Sequence, residues 1–121
     1  MRSLVLSALL AAALSAPAFA DSYPVSGRWG VTTSSSEGAI DCAGKRVIGF
    51  NGNQRRDSGG VPAYRNLSVT PEGQARYRIV DEFTNAQIRA GRVSYTLVML
   101  DADHMELHLQ QGGTLKLQRC K

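Results

Sequence analysis

The sequence predicts an all-β fold: a small antiparallel up-and-down β-barrel of about seven to eight strands, held by one disulfide and preceded by a signal peptide. Three observations lead there. Past residue 21 no stretch of helical period has convincing length, whereas period-two alternation recurs between clusters of turn-forming residues. The chain carries only two cysteines, Cys42 and Cys120. Its N-terminus has the layout of an export signal.

In that signal Arg2 supplies the positive start, residues 4–14 are almost purely apolar, and Ala18-Phe19-Ala20 offers small residues at both positions of an A-x-A cleavage motif. Cleavage is expected between Ala20 and Asp21. Pro17 interrupts the run, which falls short of the ~20 apolar residues of a membrane span. Residues 1–20 are therefore read as the signal peptide and 21–121 as a single barrel domain. Removing the signal takes Arg2 away and leaves 13 basic against 10 acidic residues, a net charge of +3. With 43% hydrophobic and 20% charged residues, the chain is neither a disordered tail nor a membrane-embedded bundle. It is also too short for a large multidomain enzyme.

Strands are predicted over 28–33, 46–51, 64–70, 75–83, 89–101, 104–110 and 114–120. Turn chemistry separates them at 34–38, 51–53, 57–60, 71–73, 101–103 and 112–113. An eighth strand has room inside 53–63. The one stretch with helical character is 82–90, where Asn85, Ala86, Gln87 and Ile88 suit a turn or two.

Residues two apart on a strand share a face. That rule turns inward Trp29 and Val31; Ile48 and Phe50; Leu67 and Val69; Tyr77, Ile79 and Phe83. On the later strands it turns inward Val93, Tyr95, Leu97 and Met99; Met105, Leu107 and Leu109; Leu115 and Leu117. Eight-stranded barrels are plugged by side chains or hold one small ligand, and this set favours a plug or a shallow mouth pocket.

An even cysteine count in an exported chain reads as a disulfide, here enclosing 77 residues. Loop closure of that length contributes on the order of 4 kcal/mol in the chain-entropy model. On the last strand the parity that turns Leu115 and Leu117 inward also turns Arg119 inward and Cys120 outward. A charged residue on a core face needs a partner. If the first and last strands pair, Arg119 can lie across the indole of Trp29, the only tryptophan, with backbone carbonyls taking its protons.

At Gly27-Arg28-Trp29 and Arg119 the sequence resembles the calycin group, the lipocalin-like barrels, in which a Gly-x-Trp on the first strand is covered by an arginine from the last. That resemblance implies a barrel closed at its Trp29 end, with a carrier of a small hydrophobic ligand as one reading. Ser26 to Trp29, the short arm 21–25 and Cys42 resemble small exported bacterial metalloprotease inhibitors, whose second cysteine lies much earlier than Cys120. Cys42-Ala43-Gly44-Lys45, Ala75-Arg76-Tyr77 and Cys120 resemble the lysozyme-inhibitor barrels. Both imply a proteinaceous inhibitor.

His104, Glu106 and His108 alternate opposite Met105, Leu107 and Leu109, so the trio faces solvent. A solvated polar face is the main reading and a surface zinc or copper site the lesser one. Residues 45–92 hold nine basic against four acidic residues, an asymmetry that can steer an anionic partner. The loop 52–63 is the longest irregular stretch, and such loops on rigid barrels bear function. Recognition is expected over 51–65, with Asn53, Arg55, Arg56 and Arg65 as the candidate partner-binding residues. Both histidines lie together on one strand and no serine stands in a nucleophile elbow, so no catalytic triad is assignable and no cofactor is implied. Nucleic acid is a poor partner for an exported chain without aromatic residues on its basic face. The expectation is a monomeric, non-catalytic binding module, periplasmic or secreted. Its partner is expected to be an envelope or secreted protein or an anionic envelope component, with an inhibitor as the alternative.

Overall fold

The computed structural model describes residues 22–32, 40–61 and 63–121, so the predicted signal peptide, its predicted cleavage site and the predicted turn 34–38 lie outside the described residues. Eight antiparallel strands close into a barrel in sequence order: β1 (Gly27–Thr32), β2 (Val47–Asn51), β3 (Gln54–Asp57), β4 (Ala63–Pro71), β5 (Arg76–Phe83), β6 (Gly91–Asp101), β7 (His104–Leu109) and β8 (Thr114–Arg119). Pairing of β1 with β8, through Trp29 opposite Arg119, completes the circle. Closure leaves no unpaired strand edge.

Short connections make this order the direct solution. Gly52 and Asn53 join β2 to β3, and Gly52, at φ 65°, takes the left-handed conformation that favours glycine. The stretch 52–63, read from sequence as an irregular loop with room for an eighth strand, is in part strand: Gln54–Asp57 form β3, because β2 and β4 pair with it on either side. The helical turn considered over 82–90 does not form. Glu82 and Phe83 belong to β5, and the Asn85 side chain accepts the amides of Gln87 and Ile88 at 2.9 and 2.8 Å, an Asx-type turn that competes with helix.

The core comprises the predicted inward residues except Leu67 and Phe83, with Tyr23 and Val25 of the N-terminal segment added. The loss of Leu67 has a local cause. A β-bulge between Asn66 and Ser68 inserts one residue into β4, so Asn66 faces Asp81 inside the barrel and inward parity resumes at Val69 opposite Ile79. At one end Tyr23 caps the core, its ring edge-on to Phe50 at 5.0 Å and its amide bonded to the Gly52 carbonyl at 2.9 Å. The Cys42–Cys120 disulfide ties the β1–β2 connection to the end of β8. Gly30 leaves the space for it: a Cβ there would meet Cys42 Sγ at 3.0 Å and Ile40 Cδ1 at 3.1 Å.

Around Trp29 the barrel end is built from chemistry legible in the sequence. The Arg119 guanidinium lies 4.5 Å from the indole, donating to the carbonyls of Ala102 at 3.2 Å and Ser26 at 3.3 Å. Trp29 Nε1 donates to the same Ser26 carbonyl at 3.0 Å. Gly27, at φ 92°, leaves room for the guanidinium, whose Nη1 would lie 3.1 Å from a Cβ. Arg119→Ala is expected to uncover one indole face, shift Trp29 emission and lower stability by roughly 1–3 kcal/mol. Unchanged emission and an unchanged denaturation midpoint would show that the contact contributes nothing.

Candidate functional site

β3 reads Gln-Arg-Arg-Asp, a polar strand whose alternation sends Arg55 and Asp57 into the barrel and Gln54 and Arg56 out. Two ionised side chains in a barrel interior need partners, and the neighbouring strands supply them. Arg55 Nε donates to Asp81 Oδ2 at 3.0 Å, and the Tyr95 hydroxyl donates to the same oxygen at 2.7 Å. Asn66 Nδ2 reaches Asp81 Oδ1 at 3.2 Å. The Arg55 guanidinium lies over the Tyr64 ring, 3.7 Å from its centroid, and 5.1 Å from that of Tyr95. Arg46 forks onto Asp57 at 2.9 and 2.7 Å.

These contacts set the protonation states. Desolvation acts against the Arg55 charge, but the Asp81 carboxylate, through its charge and its hydrogen bond, outweighs it and holds the guanidinium firmly protonated. Burial, then the Asp81 charge, push the Tyr23 hydroxyl well above its ordinary value. Burial is also the main cause that raises Tyr95. For Asp57 burial acts upward, yet the Arg46 fork and the Gly59 amide at 2.9 Å outweigh it and hold the carboxyl below the usual carboxylate range. A depressed folded-state pKa contributes stability above the unfolded value, near 3.9, and that stability is lost as pH falls through the folded value. The gap in urea midpoint between wild type and Asp57→Asn is therefore expected to hold from neutrality to about pH 5 and to narrow below about pH 4. A gap that stays constant to pH 2 would mean that the ion pair adds no stability.

At the barrel mouth a recess of about 190 Å³ has Arg46, Arg55, Asp57, Tyr64 and Tyr95 on its polar side and leucines of β7 and β8 on the other. It is smaller than the ~300 Å³ at which small-molecule pockets usually begin. The opposite end is filled by Tyr23, Phe50 and Trp29.

The candidate binding residues divide between inside and outside. Arg55, expected from sequence at the partner-binding surface, is instead 5% exposed and belongs to the interior network, because its guanidinium is taken up by Asp81. Asn53 is half-buried, and its carbonyl accepts the Asn66 amide at 2.8 Å. Arg56 and Arg65 stand on the outer face, Arg65 paired with Glu82 at 2.8 Å. Sequence reasoning missed Arg28 and Gly49. Both lie on the outer face in one cross-strand row, Arg28 opposite Gly49 and Gly49 opposite Arg56. A glycine in mid-strand was the available signal.

His104, Glu106 and His108 lie on the face of β7 opposite Met105 and Leu107, but the imidazoles turn to different carboxylates. His104 Nδ1 lies 2.8 Å from Asp101 and His108 Nε2 lies 2.9 Å from Glu106. The bond to His104 holds the Asp101 carboxyl below its ordinary value. Among the described residues no group of three His, Cys, Asp or Glu side chains is arranged to hold a metal ion. Nor, among those residues, is any helix long and apolar enough to cross a membrane. Compared with protein-family models, curated proteins and solved structures, the chain has no significant match.

Proposed function

We propose that this protein is a non-catalytic binding module of an exported, oxidising compartment, periplasmic or secreted, that recognises an anionic partner through its outer surface. The carrying observation is where the free charge lies. Inside the barrel Arg55 is matched by Asp81, and at its mouth the part-exposed Arg46 is matched by the buried Asp57. Outside, Arg28, Arg56, Arg76, Arg78 and Arg92 are exposed on the strands without a carboxylate partner among the described residues. Such a face favours encounter with negatively charged partners in a salt-dependent way. The disulfide suits the proposed compartment.

A proteinaceous inhibitor is the same reading with an enzyme as partner. Tyr23 is buried, so residues 22–26 belong to the barrel and are not a free arm for an enzyme cleft. The lipocalin-like carrier draws on the Trp29–Arg119 closure but has only the small mouth recess to offer. Native mass spectrometry of the oxidised protein, with capture from periplasmic extract at low and high salt, tests the proposal. Expected are the bare protein mass and a partner retained only at low salt. A small hydrophobic molecule bound at unit stoichiometry would replace the proposal with the carrier.

A further inference from the structure

Gly49 sits in the middle of β2, where glycine weakens a strand and marks a turn, a bulge or a close approach. None of the fold's own needs explains it. It is paired regularly on both sides, with Arg28 of β1 and Arg56 of β3. Its φ lies outside the left-handed region, and an added Cβ would find only ordinary contacts, Arg28 Cγ at 3.9 Å and the Gly27 carbonyl oxygen at 4.0 Å. The barrel itself therefore has room for a side chain here. The vacant position instead forms the floor of a groove of about 440 Å³ walled by Arg28 and Arg56. Through Gln54 and Arg56 it continues into a second groove of about 320 Å³ that passes Ala63 to Arg65 and Glu82.

Two strand spacings put the backbones of Arg28 and Arg56 about 10 Å apart, within reach of one group seated between them. Neither arginine has a carboxylate partner among the described residues. From this arrangement we infer that Arg28, Gly49 and Arg56 form a cradle for a carboxylate of an acidic segment on a protein partner. The inference deepens the proposed anionic recognition and rests on it. Guanidinium forks match a planar carboxylate in bidentate fashion, and both walls are arginine. The absent Cβ lets the acid approach the sheet between them. A lipid surface fits less well: among the described residues the exposed large apolar ones, Ile88 and Leu100, do not line either groove.

The test uses the mature, oxidised protein with fluorescein-labelled hexaglutamate as probe and, separately, vesicles of phosphatidylcholine with an anionic lipid. Wild type is expected to bind the peptide with an affinity that falls as salt rises. Gly49→Val, whose β-branched side chain suits a strand, should leave the denaturation midpoint unchanged or raised. The same variant and Arg56→Gln should weaken peptide binding about tenfold, the effect of losing charge-assisted hydrogen bonds. Arg78→Gln, an equal loss of charge on β5, should change it less than twofold. Two outcomes overturn the cradle while leaving the anionic reading intact: Gly49→Val binding like wild type, or Arg78→Gln and Arg56→Gln losing equally. Binding to anionic vesicles alone would transfer the site to a membrane and reject the protein partner. Failure of wild type to bind either probe would remove the anionic reading itself.

Discussion

Asp81→Ala is expected to lower the stability of the oxidised protein by about 3–5 kcal/mol, the range for breaking a buried ion pair from one side. Asp81 is fully buried and accepts from Arg55, Tyr95 and Asn66. Its removal leaves the Arg55 guanidinium buried, with Asp57 at 3.8 Å as the nearest carboxylate, and orphans the Tyr95 hydroxyl. Because a domain of this size has on the order of 5–15 kcal/mol in total, the variant should be partly unfolded at modest urea concentration. The double variant Arg55→Met with Asp81→Leu removes both charges and should recover much of the loss, since well-packed apolar replacements of a buried pair are often neutral. Urea titration of the three proteins decides it. A single-variant loss below about 1 kcal/mol would show that water reaches the network and screens it.

Removing the disulfide through Cys42→Ser with Cys120→Ser is expected to cost about 4 kcal/mol, because the bridge spans a sequence separation of 78 and so restricts a long loop of the unfolded chain. A second contribution is native packing. Cys42 and Ile40 lie against Gly30 on the outside of β1, and the Ile40 carbonyl accepts the Lys121 amide at 2.9 Å. Urea midpoints of oxidised, reduced and doubly substituted protein, followed by Trp29 emission, measure the loss. If reduction and substitution cost the same, the loss belongs to the cross-link. If substitution costs distinctly more, part of it belongs to packing of the sulfurs. A loss under about 1 kcal/mol in both would mean that the unfolded chain is already restricted without the bridge.

The barrel and its seam were legible because their signals are local or depend on strand parity alone. Period-two alternation marked the seven longer strands, and parity at both ends of the chain put Trp29 and Arg119 on the same face. The even cysteine count in a chain with an export-type N-terminus pointed to the Cys42–Cys120 bridge.

What only the tertiary structure decided depends on contacts between residues far apart in sequence. Parity carried past the bulge assigned Leu67 to the core, because one inserted residue exchanges the two faces of everything beyond it. Within Gln54-Arg55-Arg56-Asp57 no apolar residue marks an inner face. Which arginine is buried is set by Asp81, 26 residues away across the barrel, and not by anything local. Tyr23 enters the core because Phe50 and Gly52 receive it there. Gly49 became informative only once strand register showed that nothing in the barrel requires it. The sequence by itself determined seven of the eight strands and the cross-link. The closed barrel decided which charges are neutralised inside and which remain on its surface, because the desolvation of a charge depends on everything packed around it.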